Sequence, residues 1–242
     1  MKIKVLNYNI HSTLGTDGIA DWQRTAEMIR SFDADVIAIE EIGINHRSAP
    51  GVDAPASIAE FLGLNVIFGK TMNVWNGKGQ YGIAAFSKYE LKLVEKVFLP
   101  TPSGHEPRCF IVVKILAPKP FFLIVTHFSF QGEFESDDDY RLNSAKQITE
   151  KVLTESYFPA ILCGDLNTVH GMPAIDYLHK HWDICNDIEP DTPTTSCQSC
   201  GPCQIDFICT YPQKTFTLES FTITPDLTIS DHKPVSAILK LE

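Results

Sequence analysis

Apolar residues recur along this chain in two rhythms, and the rhythms divide it into elements. IKVLNYNI, residues 3–10, alternates apolar and polar positions and predicts a strand. DWQRTAEMIRSF, residues 21–32, places Trp22, Ala26, Met28 and Ile29 on a helical stripe, with Asp21 or Asp17 as its cap. ADVIAIEEI, residues 34–42, reads as a nearly all-apolar strand that ends in acid. A short helix is expected over 55–62, and strands over 63–69, 81–87 and 91–98. RCFIVVKIL and FFLIVTHF, residues 108–116 and 121–128, predict a hairpin around Pro118 and Pro120. A helix over 137–156 opens with an acidic turn, which suits the helix dipole. AILC (160–163) predicts a buried strand, followed by a short helix near 173–179. Strands over 204–210, 214–221 and 232–241 complete the chain. Strands dominate, with helices between some of them, so two packed sheets with helices outside are expected. No repeat, low-complexity tract or linker interrupts the pattern, and residues 1–242 are read as one domain.

The chemistry gathers where these strands stop. The first ends in Asn7, Asn9 and His11, and the second in Glu40 and Glu41. FFLIV runs into Thr126 and His127, and AILC into Asp165 and Asn167. QIDFI carries Asp206 within an apolar run, and Asp231 and His232 precede the last strand. Convergence of these ends would make one concave, acidic site. Carboxylates and an amide suit a hard cation such as Mg²⁺, which prefers oxygen ligands and keeps waters. Histidines beside it suit phosphate-ester chemistry, one contacting phosphoryl oxygens and another serving proton transfer or charge stabilisation.

YNI with Asn9, DADVIAIEE with Glu41, THF with His127, GDLN with Asp165 and Asn167, IDFI with Asp206, and SDHKPV with Asp231 and His232 occur in an order that is specific as a set. In them the chain resembles the endonuclease/exonuclease/phosphatase superfamily, the metal-dependent phosphoesterases related to pancreatic deoxyribonuclease, neutral sphingomyelinase and abasic-site endonucleases. The resemblance runs from Asn9 to the C-terminus. It implies an α/β (α+β) four-layer sandwich, two mainly antiparallel sheets flanked by helices. It implies that Glu41 is the principal Mg²⁺ ligand, with Mn²⁺ as a substitute, that Asn9 lies close to the metal and that Asp231 is a further ligand or supporting acid. Asp165 would align and deprotonate water, and Asn167 would orient Asp165 or the phosphate. His232 and His127 would contact phosphoryl oxygens, with Asp206 as the carboxylate partner of His232. That pairing predicts a separation of about 2.6–3.2 Å and a raised His232 pKa. His11 and His127 stand where abasic-site endonucleases carry Asp and Tyr, which argues against that branch. Glu40 stands in place of the usual glutamine; of the two glutamates it is the one expected at a solvated strand end.

Composition narrows the partners. The formal net charge of −10 disfavours a broad grip on long nucleic acid, which wants a basic face. A small or lipid-linked phosphodiester is the favoured substrate. A DNA or RNA end is the alternative, and a catalytically silent binding module of the same fold is a second. Arg108 is a candidate phosphate contact. Trp75, Tyr81 and Phe130 read as packing, and Arg141 as structural. The N-terminus lacks the apolar core of a signal peptide and no run is long enough to span a bilayer, so a cytoplasmic location is expected. Oligomeric state is not legible. Cys197, Cys200 and Cys203 follow a C-x₂-C-x₂-C spacing. Free thiols lead there, ahead of a structural metal (zinc or an iron–sulfur cluster) and a regulatory disulfide. Substrate choice is assigned to the segments 43–57, 71–80, 100–107 and 129–138, none of which carries a signature.

Overall fold

A computed structural model describes residues 1–130, 138–197 and 201–242, without the side chains of Asp138, Asp139 and Cys197. In chain order its strands are β1 (Lys2–Asn9), β2 (Val36–His46), β3 (Ala49–Asp53), β4 (Asn65–Val74), β5 (Gly79–Ser87), β6 (Leu91–Leu99), β7 (Arg108–Ile115) and β8 (Phe121–His127). There follow β9 (Ala160–Asp165), β10 (Asp183–Ile184), β11 (Thr195–Cys197), β12 (Gly201–Cys203), β13 (Asp206–Tyr211), β14 (Phe216–Ile223) and β15 (Val235–Leu241). The helices are α1 (Trp22–Ser31), α2 (Ala54–Leu62), α3 (Asp138–Thr154) and α4 (Pro173–His179).

The two large sheets run β14-β15-β1-β2-β5-β4, with β3 on the end of β2, and β10-β13-β9-β8-β7-β6. Most neighbours are antiparallel. Each sheet holds one parallel pair, β1 with β2 and β8 with β9. Those pairs need crossovers, which α1 and α3 supply. Asp21 caps α1 by accepting from the N–H groups of Gln23 and Arg24, and Asp17 instead pairs with the Arg24 guanidinium. β3, β10 and the β11–β12 hairpin were not expected; two to five residues each, they show no periodicity.

Strand alternation sorts the apolar residues into three layers. Val5, Val36, Ala38, Ile83 and Ala85 face Ile111, Val113, Val125, Ile161 and Cys163 between the sheets. Leu6, Ile37, Ile39 and Phe86 turn outward to α1 and α2. Phe110, Val112, Ile124 and Leu162 turn outward to α3 and α4. Helices, sheet, sheet and helices make the four-layer sandwich that the strand pattern and the resemblance imply.

The expectation that Glu40 is solvated is wrong. Its side chain is 0% exposed, and neither carboxylate oxygen makes a hydrogen bond. The cause is a β-bulge. Ile39 pairs with Ala84 and Ile42 with Gly82, so Glu40 and Glu41 together oppose a single residue of β5. Alternation from Ala38 sends Glu40 inward, between the sheets. Glu41, at φ 54°, is the extra residue, and the bulge turns it from the helix layer toward the strand end.

Burial raises the Glu40 pKa well above the ordinary carboxyl value, and the Asp206 and Asp165 carboxylates push it further the same way. A carboxyl raised in the folded state stabilises below its unfolded pKa, and that contribution is lost as pH rises through the folded value. Glu40→Gln removes this dependence. In metal-free buffer the variant is expected to gain on the wild type as pH rises from about 5 to about 8.5, by up to ~1.4 kcal/mol per pH unit. Urea unfolding of both proteins measures the gap; a constant gap would mean that Glu40 ionises freely.

Candidate active site

The site assembles at the C-terminal ends of the two parallel pairs. Asn9 is the last residue of β1 and lies in register with Glu40 on β2. Its Nδ2 donates to Glu41 Oε1 at 3.1 Å and to Asp165 Oδ2 at 3.1 Å. Its Oδ1 accepts the backbone N–H of His11 at 3.1 Å. Carboxylates only accept, so the orientation of this amide is fixed. One side chain thus ties a glutamate of the first sheet to an aspartate of the second.

In the second sheet, Asp165 on β9 lies directly opposite His127 on β8 and Asp206 on β13. Opposite residues share a face, so these three side chains form a row across the sheet end. Close spacing there depends on Gly164, because a Cβ at that position would meet Thr126 O at 2.3 Å. His127 Nε2 lies 3.4 Å from Asp165 Oδ2. Asp165 Oδ1 accepts the backbone N–H of Asn167 at 2.9 Å, with Asn167 held at φ 48°. The Asn167 amide itself donates to Phe128 O at 3.1 Å. Burial raises the Asp165 pKa, but His127 and His232 outweigh it and hold the group well below the usual carboxylate range. Asp165 is therefore an ionised acceptor.

His232 reaches the row from the loop before β15. Its Nδ1 lies 2.9 Å from Asp206 Oδ2 and 3.1 Å from Oδ1, within the separation expected from sequence, and its Nε2 lies 3.7 Å from Asp165 Oδ2. Burial disfavours the charged imidazole, yet Asp206, helped by Asp165 and Asp231, raises its pKa well above the ordinary value. Ser230 sets this loop against β1: its hydroxyl donates to Asn9 O at 2.7 Å and accepts the N–H of His232 at 3.2 Å. Thr194 Oγ1 accepts the N–H groups of Ile205 and Asp206 at 3.0 and 3.3 Å, fixing the start of β13.

Asp231 sits at the rim, with its side chain 46% exposed and Oδ1 3.6 Å from His11 Nδ1. Arg108 is buried, ion-paired to Glu106, and stacks at 5.5 Å from the Phe130 ring. Its charge, after that of His127, keeps Glu41 ionised against the opposing effect of burial. Arg108 thus acts on Glu41 from within the wall, where the sequence suggests a phosphate contact. Cys163 lies in the core between the sheets, and burial pushes its thiol well above the usual range. Of the cysteine triplet, Cys200 and the Cys197 side chain lie outside the described residues. Cys203 is half-buried, its thiol raised to about 11 by burial and by Asp165 and Asp206.

Beside Glu41 opens a cleft of about 220 Å³, lined also by His11, His46, Met72, Tyr81 and Glu106. Three of the four segments assigned to substrate choice supply its walls; the fourth falls partly outside the described residues. His46 and Tyr81 stack with ring centroids 6.0 Å apart. Neither was singled out for the site, because a lone histidine in a loop and a tyrosine in a strand carry no signal of their own. The cleft fits a hard divalent cation in its carboxylates: Asn9 engages only one oxygen of Glu41, and Glu106 adds a second carboxylate to the lining.

Comparison with known proteins bears on the fold and the family. No curated protein matches the sequence. Among solved structures, an endonuclease/exonuclease/phosphatase from Beutenbergia cavernae superposes with a TM-score of 0.80 at 23% identity, covering 99% of this chain and 72% of that one. The structure of ANGEL2, a 2′,3′-cyclic phosphatase, superposes at 0.76 with 16% identity, covering 100% and 96%. A mannosyl-6-phosphatase of Bacteroides thetaiotaomicron superposes at 0.74 with 19% identity, covering 99% and 100%. At these identities the likeness speaks for the fold. The model of the endonuclease/exonuclease/phosphatase family matches residues 6–232, and the chain belongs to that family of hydrolytic phosphoesterases.

Proposed function

We propose that this protein is a Mg²⁺-dependent phosphodiesterase that directs water onto phosphorus without a covalent intermediate. The observation that carries the reading is the bidentate reach of Asn9 to Glu41 and Asp165, at 3.1 Å each. It couples a cation-binding carboxylate to a water-aligning one.

Glu41 and Asp231 would hold the ion, with Asn9 beside it orienting Glu41 through its amide N–H. A bound divalent ion supplies charge stabilisation at the phosphoryl and leaving oxygens and makes water a better nucleophile. Asp165, fixed by the Asn167 N–H, accepts a hydrogen bond from the attacking water and aims its lone pair at phosphorus. His232, held as imidazolium by Asp206, and His127 donate to phosphoryl oxygens where negative charge develops. Arg108 stays paired with Glu106 and stabilises ionised Glu41 from behind. Tyr81 and His46 give the cleft an aromatic wall for the substrate group beyond the phosphate.

The cleft of about 220 Å³ and the net charge of −10 favour a small or lipid-linked diester over an extended duplex. The structural likeness to a 2′,3′-cyclic phosphatase favours, as a second reading, a nucleotide or nucleic-acid end. A silent binding module is not favoured, because each chemical position of the family pattern is occupied. Hydrolysis of phosphodiester, phosphomonoester, phospholipid and oligonucleotide panels with Mg²⁺ and Mn²⁺ separates these readings.

Glu41→Gln is expected to weaken Mg²⁺ binding and turnover together; calorimetry that finds unchanged affinity removes the ligand assignment. Asp165→Asn keeps the shape and removes the acceptor, so kcat should fall by about 10²–10⁴-fold while the fold is retained. Cys163→Ala should leave turnover nearly unchanged apart from a packing cost. The opposite ranking of these two variants would demand a thiol mechanism.

A proton-dependent test addresses His232. Its raised pKa keeps the imidazolium present below that value and loses it above, so activity should fade on the alkaline side. Asp206→Asn removes the principal raising charge. The alkaline limb of kcat/KM should then move to lower pH. An unmoved limb would mean that His232 is not the titrating donor.

A further inference from the structure

A second cluster of ligand-type side chains lies on the far side of β13 from the catalytic row. His170 comes from the loop after β9, His179 ends α4, and Asp187 lies in the 3₁₀ turn Cys185–Ile188. Their ligand atoms all lie within 4.8 Å of one another. We infer that His170, His179 and Asp187 form a second metal site, built for a borderline cation such as Zn²⁺ and separate from the catalytic one.

Hydrogen-bond directions around His170 carry the inference. The Gln204 Nε2 donates to Glu189 O at 2.9 Å and to Thr192 O at 2.7 Å, which fixes that amide and makes its Oε1 the acceptor. Asn186 is fixed independently: its Oδ1 accepts the N–H of Ile208 at 3.1 Å, and its Nδ2 donates to Asp206 O at 2.9 Å and to Gln204 Oε1 at 3.1 Å. His170 Nε2, 3.0 Å from the same Oε1, must therefore carry a hydrogen. In the neutral ring Nδ1 then presents a lone pair, and it faces Asp187 Oδ1 at 3.9 Å. A lone-pair nitrogen this close to a carboxylate oxygen, which His179 Nε2 also approaches, leaves room for a positive charge among the three.

Ring packing holds this orientation, since the imidazole lies 5.2 Å from the Phe207 ring, centroid to centroid. His179 Nε2 approaches the same Asp187 oxygen at 2.9 Å. Tetrahedral zinc with ligands at about 2.0–2.2 Å requires neighbouring donor atoms roughly 3.4 Å apart. The two observed separations, 2.9 and 3.9 Å, bracket that spacing, so a small rotation of the exposed Asp187 carboxylate equalises them. On binding, the neutral His179 ring gives its Nε2 lone pair to the metal and carries its hydrogen on Nδ1. Two imidazoles and one carboxylate select zinc over magnesium, and water completes the shell. The amide acceptor behind His170 is the kind of outer partner that orients a metal-bound imidazole.

Position gives the site a structural role. It joins the loop leaving β9 to the end of α4 and to the turn before β11, while Gln204 and Asn186 link it to the backbone of Asp206. A metal here braces the segment that leads into the catalytic strand without touching the catalytic side chains.

The test uses the full chain stripped with chelator, with Cys197, Cys200 and Cys203 changed to Ser so that no thiolate competes, and with Mg²⁺ in excess. Calorimetry should record one Zn²⁺ per chain, and Co²⁺ should give the absorption of a tetrahedral N/O site. His179→Ala and Asp187→Asn alter partly exposed residues and should keep the fold. Each should weaken Zn²⁺ binding at least tenfold and abolish the Co²⁺ spectrum, and Gln204→Ala should weaken it about 10–100-fold by releasing His170. Zinc uptake that is equal in the parent and both ligand variants would overturn the site. So would no uptake at all, with nitrogen NMR showing His170 doubly protonated, because a proton would then be the bridging charge.

Discussion

Asp206 and His232 form a buried ion pair, and the rest of the site depends on it. Taking either charge out of solvent alone would cost several kcal/mol, so neither persists without the other. The pair lies beside Asp165 and above Glu40, where two sheets converge and no solvent screens the charges. Asp165 can stay ionised there because His127 and His232 lie on two of its sides. Glu40 has no hydrogen-bond donor among the described residues, and burial with Asp206 and Asp165 outweighs His232 and drives it toward its neutral form. One buried region thus holds carboxyl groups in opposite states, set apart by how closely each faces an imidazole.

That arrangement requires backbone precision at the strand ends. Gly164 lets β8 and β9 approach so that His127 and Asp165 stand directly opposite each other. The β2 bulge turns two adjacent glutamates into residues with unrelated environments. Ser230 and Thr194, small hydroxyls with no chemistry of their own, bind the His232 loop and β13 to neighbouring backbone. Positive φ angles at Glu41 and Asn167 fall at the functional residues, where surrounding hydrogen bonds hold a conformation that an isolated chain disfavours.

Most of the architecture was legible because strand burial writes itself as apolar runs, and each long run here is a strand or a helix in the expected place. The convergence of Asn9, His127, Asp165, Asp206 and His232 was legible for a related reason: polar groups cut those runs off at the same end. Glu40 was misread because period-2 reasoning assumes an unbroken register, and the bulge adds a residue at the critical point. Arg108 was read as a phosphate contact from its charge near the expected site, although Glu106, two residues earlier, already offered a partner. Tyr81 was rightly read as packing, yet it also walls the cleft. His170, His179 and Asp187 escaped notice because nothing in their spacing joins them; a loop, a helix end and a turn bring them together only in three dimensions.

Gln204 and Asn186 show how the two clusters differ in kind. In the row of the candidate site, Asp206 faces His232 and favours its charged form, and each group bears on the other's protonation. Around His170, two amides are oriented by backbone carbonyls and amides on every side, so the imidazole has no freedom to choose its tautomer. That rigid donor pattern, with His170 Nδ1 3.9 Å from Asp187 Oδ1, is the geometric basis of the proposed second cation site. Asn186 also grips the Asp206 and Ile208 backbone, so the strand carrying the His232 partner takes part of its support from this network.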